Sequence, residues 1–496
     1  MIDGYIPKDK RKTILFLADD MRMPSGIGTM TRELILGTAH IYNYLHVGAG
    51  VNHPDAGKMF DMSHEINKEI GITDSNVTLM PFNGYGDANL IRYILNNRNV
   101  DAIVHFTDPR YWTWLYHISS EIRQRIPILY YHIWDDLPAP HYNKPYYQSC
   151  DLLMGISKQS VNISHIVLGE NKYIDLDNQD TTTEQIVKSL PKTSYVPHGI
   201  NTKYFTKLDK SPDLDLFRSR LFKDQQVEFA LLYNNRNIRR KMTSDIILAY
   251  KLFTTQLTPE QVAKTRLVLH TQGVDEHGTN LYAVVETLCP ELTDNIIFTE
   301  ARYNSTDMCK LYNCCDVTIN IGSNEGWGLS STESMICGVP IINNVTGGLQ
   351  DQCRFEDENG QWIKFTPEFA TNHTGKYKKH GKWVKPVYPG TISVQGSIPT
   401  PYIFDDRAET RDVAKAIMAW YNTPKEERIA CGLAGREWAM SQEAGFTSEI
   451  MCNRFATAVS KVVDNYVAPS RFDVYSAQEH IEQVKTRKTG IVLSYE

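Results

Sequence analysis

The sequence has no long apolar run: nothing in it approaches the roughly 18 consecutive apolar residues a helix needs to cross a bilayer, so membrane contact is expected to be peripheral at most. It also lacks a disulfide framework, since its nine cysteines are an odd number at irregular spacing. No secretory leader pattern is legible at the start, and the expected compartment is therefore the reducing cytoplasm, with free thiols. Cys309, Cys314 and Cys315 cluster but have no second ligand pair at zinc spacing, so no metal site is expected. Basic excess is missing too. With 52 Lys and Arg against 58 Asp and Glu the formal charge is −6, which argues against a globally basic nucleic-acid binder and leaves only local patches. What is present is 496 residues of ordinary globular composition, 42% hydrophobic and 22% charged, enough for two or more cores.

One stretch organises the rest. Asp316 to Ile321 is a short β-branched run that reads as a buried parallel strand. The turn Ser323-Asn324-Glu325-Gly326 follows, then a helical pattern from Leu329 to Cys337, stopped by Gly338-Val339-Pro340 before a new strand at Ile341-Ile342. A glycine loop opening a helix presents free N–H groups where the helix dipole favours an anion or an oxygen-rich ligand. Glu325 stands at the loop and Glu333 two helical turns on, so two acceptors suit a ligand with hydroxyls at both ends, such as a nucleotide sugar.

The string Glu325-Gly326-Trp327-Gly328 through Glu333, then Gly338-Val339-Pro340, resembles the Glu-x7-Glu signature of GT4-type retaining glycosyltransferases. The resemblance implies an α/β fold of the GT-B kind: two Rossmann-like domains facing each other across a cleft, with a C-terminal helix crossing back to the N-terminal domain. It implies a nucleoside-diphosphate sugar as donor, no required cofactor, and Gly326, Trp327, Gly328, Leu329 and Glu333 as donor-binding residues.

In the N-terminal half, residues 12–18 read as a first strand and Ser25-Gly26-Ile27-Gly28 opens a helix, Thr29 to Thr38. Gly26 and Gly28 match the family's glycine-rich loop facing the donor phosphate. Strands at Asn99 to Phe106 and Ile126 to Ile133 follow, and open parallel sheets bind ligands beyond the carboxyl ends of their strands. Asp108, His132 and Asp135 are therefore placed on the acceptor or sugar side, although a histidine in an apolar strand, as His132 is, reads more often as hydrogen-bonded structure. At the position where family members often carry a His, this sequence has Thr107. The aromatic run Tyr111, Trp112, Trp114 and Tyr116 reads mainly as core. Asp-x-Asp at Asp175-Leu176-Asp177 and Asp213-Leu214-Asp215, the mark of metal-dependent transferases of another fold, lies in polar segments rather than at a buried strand end.

The N-terminal domain is read as 1–205, with Tyr195 to Ile200 resembling the family's turn that closes it, and a linker at 206–227. A C-terminal nucleotide-sugar domain follows over 228–440, then the crossover helix and tail at 441–496. Phe229 to Tyr233 is a strand running into the cationic loop 235–241. The spacing of Arg236 and Lys241 resembles the family's Arg-x4-Lys clamp on the diphosphate, and these two with Glu325 are the expected catalytic residues. Arg239 and Arg240 read as facing solvent or acceptor. Residues 351–403 depart from the family as an insertion, a small hairpin or a functional element, whose run GKYKKHGKWVK at 375–385 would suit a polyanion or only a solvated surface. The sequence thus reads as a hexosyl- or pentosyltransferase. Its acceptor is open among glycan, lipid, small molecule, protein and modified DNA base, and a GT-B nucleotide-sugar epimerase is the rival class.

Overall fold

The computed structural model describes residues 4–470. The tail beyond, part of the segment read as 441–496, lies outside the described residues. The first sheet is built from β1 (Lys12–Asp19), β2 (Tyr42–Val51), β3 (Phe60–Asp61), β4 (Val77–Asn83), β5 (Ala102–Phe106), β6 (Ile128–His132), β7 (Leu152–Gly155), β8 (Ile174–Asp175) and β9 (Lys192–Tyr195). Their spatial order is β3-β4-β2-β1-β5-β6-β7-β9-β8. All pairs are parallel except β3 with β4. β5 and β6 are buried at every position, as strands covered on both faces must be. The chain leaves β1 first toward β2 and later toward β5, so a crevice opens beyond the carboxyl ends of β1 and β5.

The second sheet comprises β10 (Phe229–Asn234), β11 (Thr265–His270), β12 (Ile296–Phe298), β13 (Val317–Asn320), β14 (Ile341–Asn344) and β15 (Val384–Val387). It is parallel throughout, in the order β12-β11-β10-β13-β14-β15, with its own crevice between β10 and β13. Two Rossmann-like domains, the expected GT-B arrangement, are present. The Ser448–Val463 helix returns from the second domain to pack on the Gly26–Thr38 helix, and the Tyr42 hydroxyl donates to Ala456 O at 3.0 Å. A second seam joins the domains at the Lys158–Leu168 helix, where Lys158 N donates to Asp351 at 2.9 Å and Gln350 Nε2 to Gln159 at 2.7 Å.

Three segments differ from their reading in sequence. The stretch read as a linker holds the Pro212–Phe222 helix, which starts on a Ser211 cap with proline in its first turn. It packs against the Ser305–Cys314 helix, so the linker is docked rather than extended. The Asp175-Leu176-Asp177 motif lies against the sheet, Asp177 accepting from Ser194 Oγ at 2.8 Å and Tyr195 N at 2.6 Å. The insertion supplies β15 to the second sheet, then a long hairpin, β16 (Pro389–Ser397) with β17 (Thr400–Ala408). Its basic aromatic run is largely tied down. Trp383 is buried and stacks on Trp438 at 5.0 Å. The ammonium groups of Lys376 and Lys378 lie over the Phe369 and Tyr388 rings, and Lys379 pairs with Glu356.

Candidate functional site

The loop after β13 is held by backbone packing that only glycine permits. A Cβ on Gly347 would sit 2.0 Å from Glu325 O and one on Gly348 2.2 Å from Gly326 O, so the segment after β14 presses directly on the Glu325 loop. Gly348 N donates to Glu325 O at 2.9 Å across that contact. The Glu325 side chain is thereby fixed in the cleft, only 4% of the residue remaining exposed. Its carboxylate accepts from Lys241 Nζ, from Arg240 Nη1 at 3.4 Å and from Asn320 Nδ2 at 3.2 Å. Burial alone would raise the Glu325 carboxyl, but the two cations outweigh it and hold it below its ordinary range. Lys241 is pulled down to about 8, first by burial and then by neighbouring Arg240, with Glu325 opposing both. Arg240 is anchored a second time, Nη1 donating to Asn324 O at 2.6 Å.

Glu333 lies along the Leu329–Ile336 helix. The Tyr312 hydroxyl donates to it at 2.6 Å and Asn234 Nδ2 approaches at 3.5 Å. No cation among the described residues balances it there, and desolvation raises its carboxyl. The two glutamates therefore differ: one is ionised among cations, the other is a desolvated acceptor partnered by neutral donors.

The N-terminal domain closes over this surface. A Cβ on Gly26 would touch Leu329 Cδ1 at 3.4 Å, which puts the first glycine loop against the start of the Glu333 helix. A Cβ on Gly326 would lie 3.1 Å from Ile133 O and 3.8 Å from Asp135 Oδ2, so Asp135 faces the Glu325 loop. The Asp135 carboxyl is raised, chiefly by desolvation and also by Glu325, with Arg240 opposing. Asp136 accepts from Asn324 Nδ2 at 2.6 Å, bridging the domains. At the end of β5, Thr107 holds φ +112°, a strained value for a β-branched residue, and strain of this kind collects at functional clefts.

The structure brings together Lys241, Glu325, Gly326 and Asp135, with Gly26 against Leu329 nearby. Gly28 is set by packing: a Cβ there would meet Met23 O at 2.6 Å. Both Gly26 and Gly28 lie inside the helix, Gly26–Thr38, rather than in a loop before it, and Ser25 caps it by accepting from Gly28 N at 3.0 Å. Gly328 takes φ +86° just ahead of the Leu329–Ile336 helix. Three side chains fall elsewhere than expected. The Trp327 indole is buried edge-on against Phe446 at 4.8 Å and belongs to the core. His132 is fully buried, bonded to the Tyr147 hydroxyl at 2.7 Å and lowered to about 3 by desolvation, so it is a structural group of β6. Arg236 is exposed and paired with Asp275 at 2.8 Å, while Arg240, read in sequence as facing solvent or acceptor, is half-exposed and also reaches Glu325. Asp108 caps the turn after β5 and pairs with Arg110.

Two Rossmann-like domains whose crevices face one another, with an ionised glutamate and two cations between them, define a glycosyltransferase of GT-B architecture. Residues 219–371, which span most of the second domain, match the family model described as Glycosyl transferases group 1. No curated protein matches the chain in sequence. Among solved structures, HepE of Anabaena in complex with UDP and glucose aligns with TM-score 0.59 at 14% identity, over 91% of this chain and 100% of that one. Sucrose-phosphate synthase of Thermosynechococcus elongatus aligns with TM-score 0.59 at 14% identity, over 92% and 100%. An E. coli structure described as trehalose-6-phosphate bound with UDP-2-fluoro glucose aligns with TM-score 0.56 at 12% identity, over 90% and 98%. At such identities the likeness is one of fold. No helix among the described residues is long and apolar enough to cross a membrane.

Proposed function

We propose that the chain transfers a sugar, with retention of anomeric configuration, from a nucleoside-diphosphate sugar to an acceptor hydroxyl, in the cytoplasm. The observation that carries this reading is the Glu325, Lys241 and Arg240 cluster at the opening of the Glu333 helix. UDP or a UDP-sugar in the HepE and E. coli structures supports a nucleotide-sugar donor. In the reaction the bond between the anomeric carbon and the phosphate oxygen breaks, and its electron pair leaves with the nucleoside diphosphate. Fixed cations at Lys241 and Arg240, with Arg236 once it turns from Asp275, stabilise that developing charge more than the ground state. The acceptor oxygen joins the anomeric carbon on the face the diphosphate leaves, and its proton passes to a departing phosphate oxygen. Glu325 accepts from sugar hydroxyls and Glu333 from ribose hydroxyls.

Thermal unfolding with UDP, GDP, ADP and their glucose conjugates tests the donor. A ligand at 100 times its dissociation constant stabilises by about 2.7 kcal/mol. Unfolding curves unmoved by every nucleotide sugar would refute the reading.

A further inference from the structure

The β16–β17 hairpin has two unlike faces. Outward it shows Val394, 65% exposed, and Ile398 at the tip, fully exposed. Inward, Gln395, paired in register with Ile403, looks into two adjoining cavities. One, of about 380 Å³, lies against the N-terminal domain and is lined by Asp108, Arg110, Trp134, Asp135 and Asp136. The other, of about 490 Å³, runs along the cationic loop past Arg240. The two share Asp136, Arg239, Gln395 and Ile403.

The hairpin is bonded to both domains. On the N-terminal side Phe404 N donates to Leu137 O at 2.6 Å and the Tyr142 hydroxyl to Tyr402 O at 3.0 Å. On the C-terminal side Asn324 Nδ2 donates to Phe404 O at 2.5 Å and Thr346 Oγ1 to Asp406 at 2.7 Å. A duplex or polysaccharide lying across the cleft would have to break these bonds. A molecule of a few hundred Å³ fits beneath them, in the range of ordinary small-ligand pockets. Among the arginines of the walls, Arg110, Arg240 and Arg407 are committed to Asp108, Glu325 and Asp245. Arg239 has no ion pair among the described residues.

We propose that the hairpin roofs the acceptor chamber, and that the acceptor is a compact, hydroxyl-rich molecule bearing one anionic group received by Arg239. The inference rests on the transferase reading above. Carboxylates at Asp135 and Asp136 with the Gln395 amide accept and donate to hydroxyls. The guanidinium of Arg239 matches a phosphate or a carboxylate in a two-bond fork.

The test uses the full chain with whichever nucleotide sugar shifts its unfolding. Probes are glucose, glucose 6-phosphate, glucuronate, dextran and duplex DNA bearing hydroxymethylated cytosine, with product mass as readout. Transfer to the phosphate or the carboxylate sugar is expected, the two arms telling the anions apart. Arg239→Gln should raise KM for that acceptor about tenfold or more, Arg239→Lys should recover part of it, and donor affinity should hold in both. Failure to bind any donor refutes the transferase reading itself. With a donor bound, transfer only to glucose, dextran or DNA, transfer to none of the probes, or an unchanged KM in Arg239→Gln would overturn this inference alone.

Discussion

The Tyr312 hydroxyl donates to Glu333 at 2.6 Å, linking the Ser305–Cys314 helix to the helix that opens at the donor loop. Among the described residues, Tyr312→Phe leaves the carboxylate with Asn234 alone, at 3.5 Å. A desolvated acceptor that loses its donor forfeits about 1–3 kcal/mol, so nucleotide affinity should fall roughly tenfold or more. Glu333→Ala should weaken the bare nucleoside diphosphate and the nucleotide sugar alike, whereas Glu325→Ala should spare the bare nucleotide. Calorimetry that finds equal losses for the bare nucleotide in both glutamate variants would contradict the division of roles.

The pH dependence follows from Lys241. Its ammonium is pulled down to about 8, by burial first and Arg240 next, so the cation is present below that pH and is lost as pH rises through it. The profile of kcat/KM, which reports the free enzyme, should therefore fall above about pH 8. Folding runs in the opposite sense. Between about 8 and the ordinary lysine range the unfolded chain holds the extra proton, so this group's contribution to stability rises with pH while activity declines. Arg240→Gln removes the like charge and should move the alkaline limb upward. A limb that stays in place in that variant would separate Lys241 from the profile.

Of the Arg236 and Lys241 pair picked out by spacing, only Lys241 stands on Glu325, Arg236 pairing with Asp275 instead; the contact of Arg240 with Glu325 was not legible. In sequence, Arg239, Arg240 and Lys241 are one charge run, and only the 3-10 turn they form decides which reach Glu325. The second domain reads well because β10 and β13 are short, mostly apolar runs that start after an acidic residue, Glu228 or Asp316, and end on an asparagine, Asn234 or Asn320. Trp327 misleads because its backbone serves the loop while its ring turns into the core against Phe446, a residue 119 positions away in the chain. His132 reads two ways, since a strand end points to a crevice and an apolar strand to hydrogen-bonded structure; its bond to the Tyr147 hydroxyl makes it the second. The hairpin's seat on both domains rests on single polar contacts, such as Phe404 O with Asn324 and Phe404 N with Leu137 O, that carry no periodic signal.

The insertion's lysines serve the loop itself. With Lys376 and Lys378 over aromatic rings and Lys379 paired with Glu356, replacing Lys376, Lys378, Lys379 and Lys382 by Ser should lower the unfolding temperature while leaving donor affinity unchanged. Trp383→Ala should cost more, about 3–5 kcal/mol, because it empties a buried site. Salt-dependent DNA binding by the wild type that flattens in the lysine variant would instead make the run a polyanion site.

The crossover helix offers the sharpest test of how the domains are joined. Gly37 sits near the end of the Gly26–Thr38 helix, and a Cβ there would lie 2.3 Å from Cys452 Sγ and 2.9 Å from Cys452 Cβ. Helix propensity by itself favours alanine over glycine by about 1 kcal/mol, so an uncrowded helix would be stabilised by Gly37→Ala. Overpacking a close contact costs about 1–3 kcal/mol, and the short distance to the Cys452 Cβ makes that the larger effect. Gly37→Ala should therefore destabilise the protein. Cys452→Ala removes the nearer atom, so the double variant should recover part of the loss beyond the sum of the single changes, a coupling that only residues in contact show. Denaturant unfolding of the four proteins measures it. Additive effects, or a Gly37→Ala protein more stable than the wild type, would mean that the Ser448–Val463 helix does not pack here in solution.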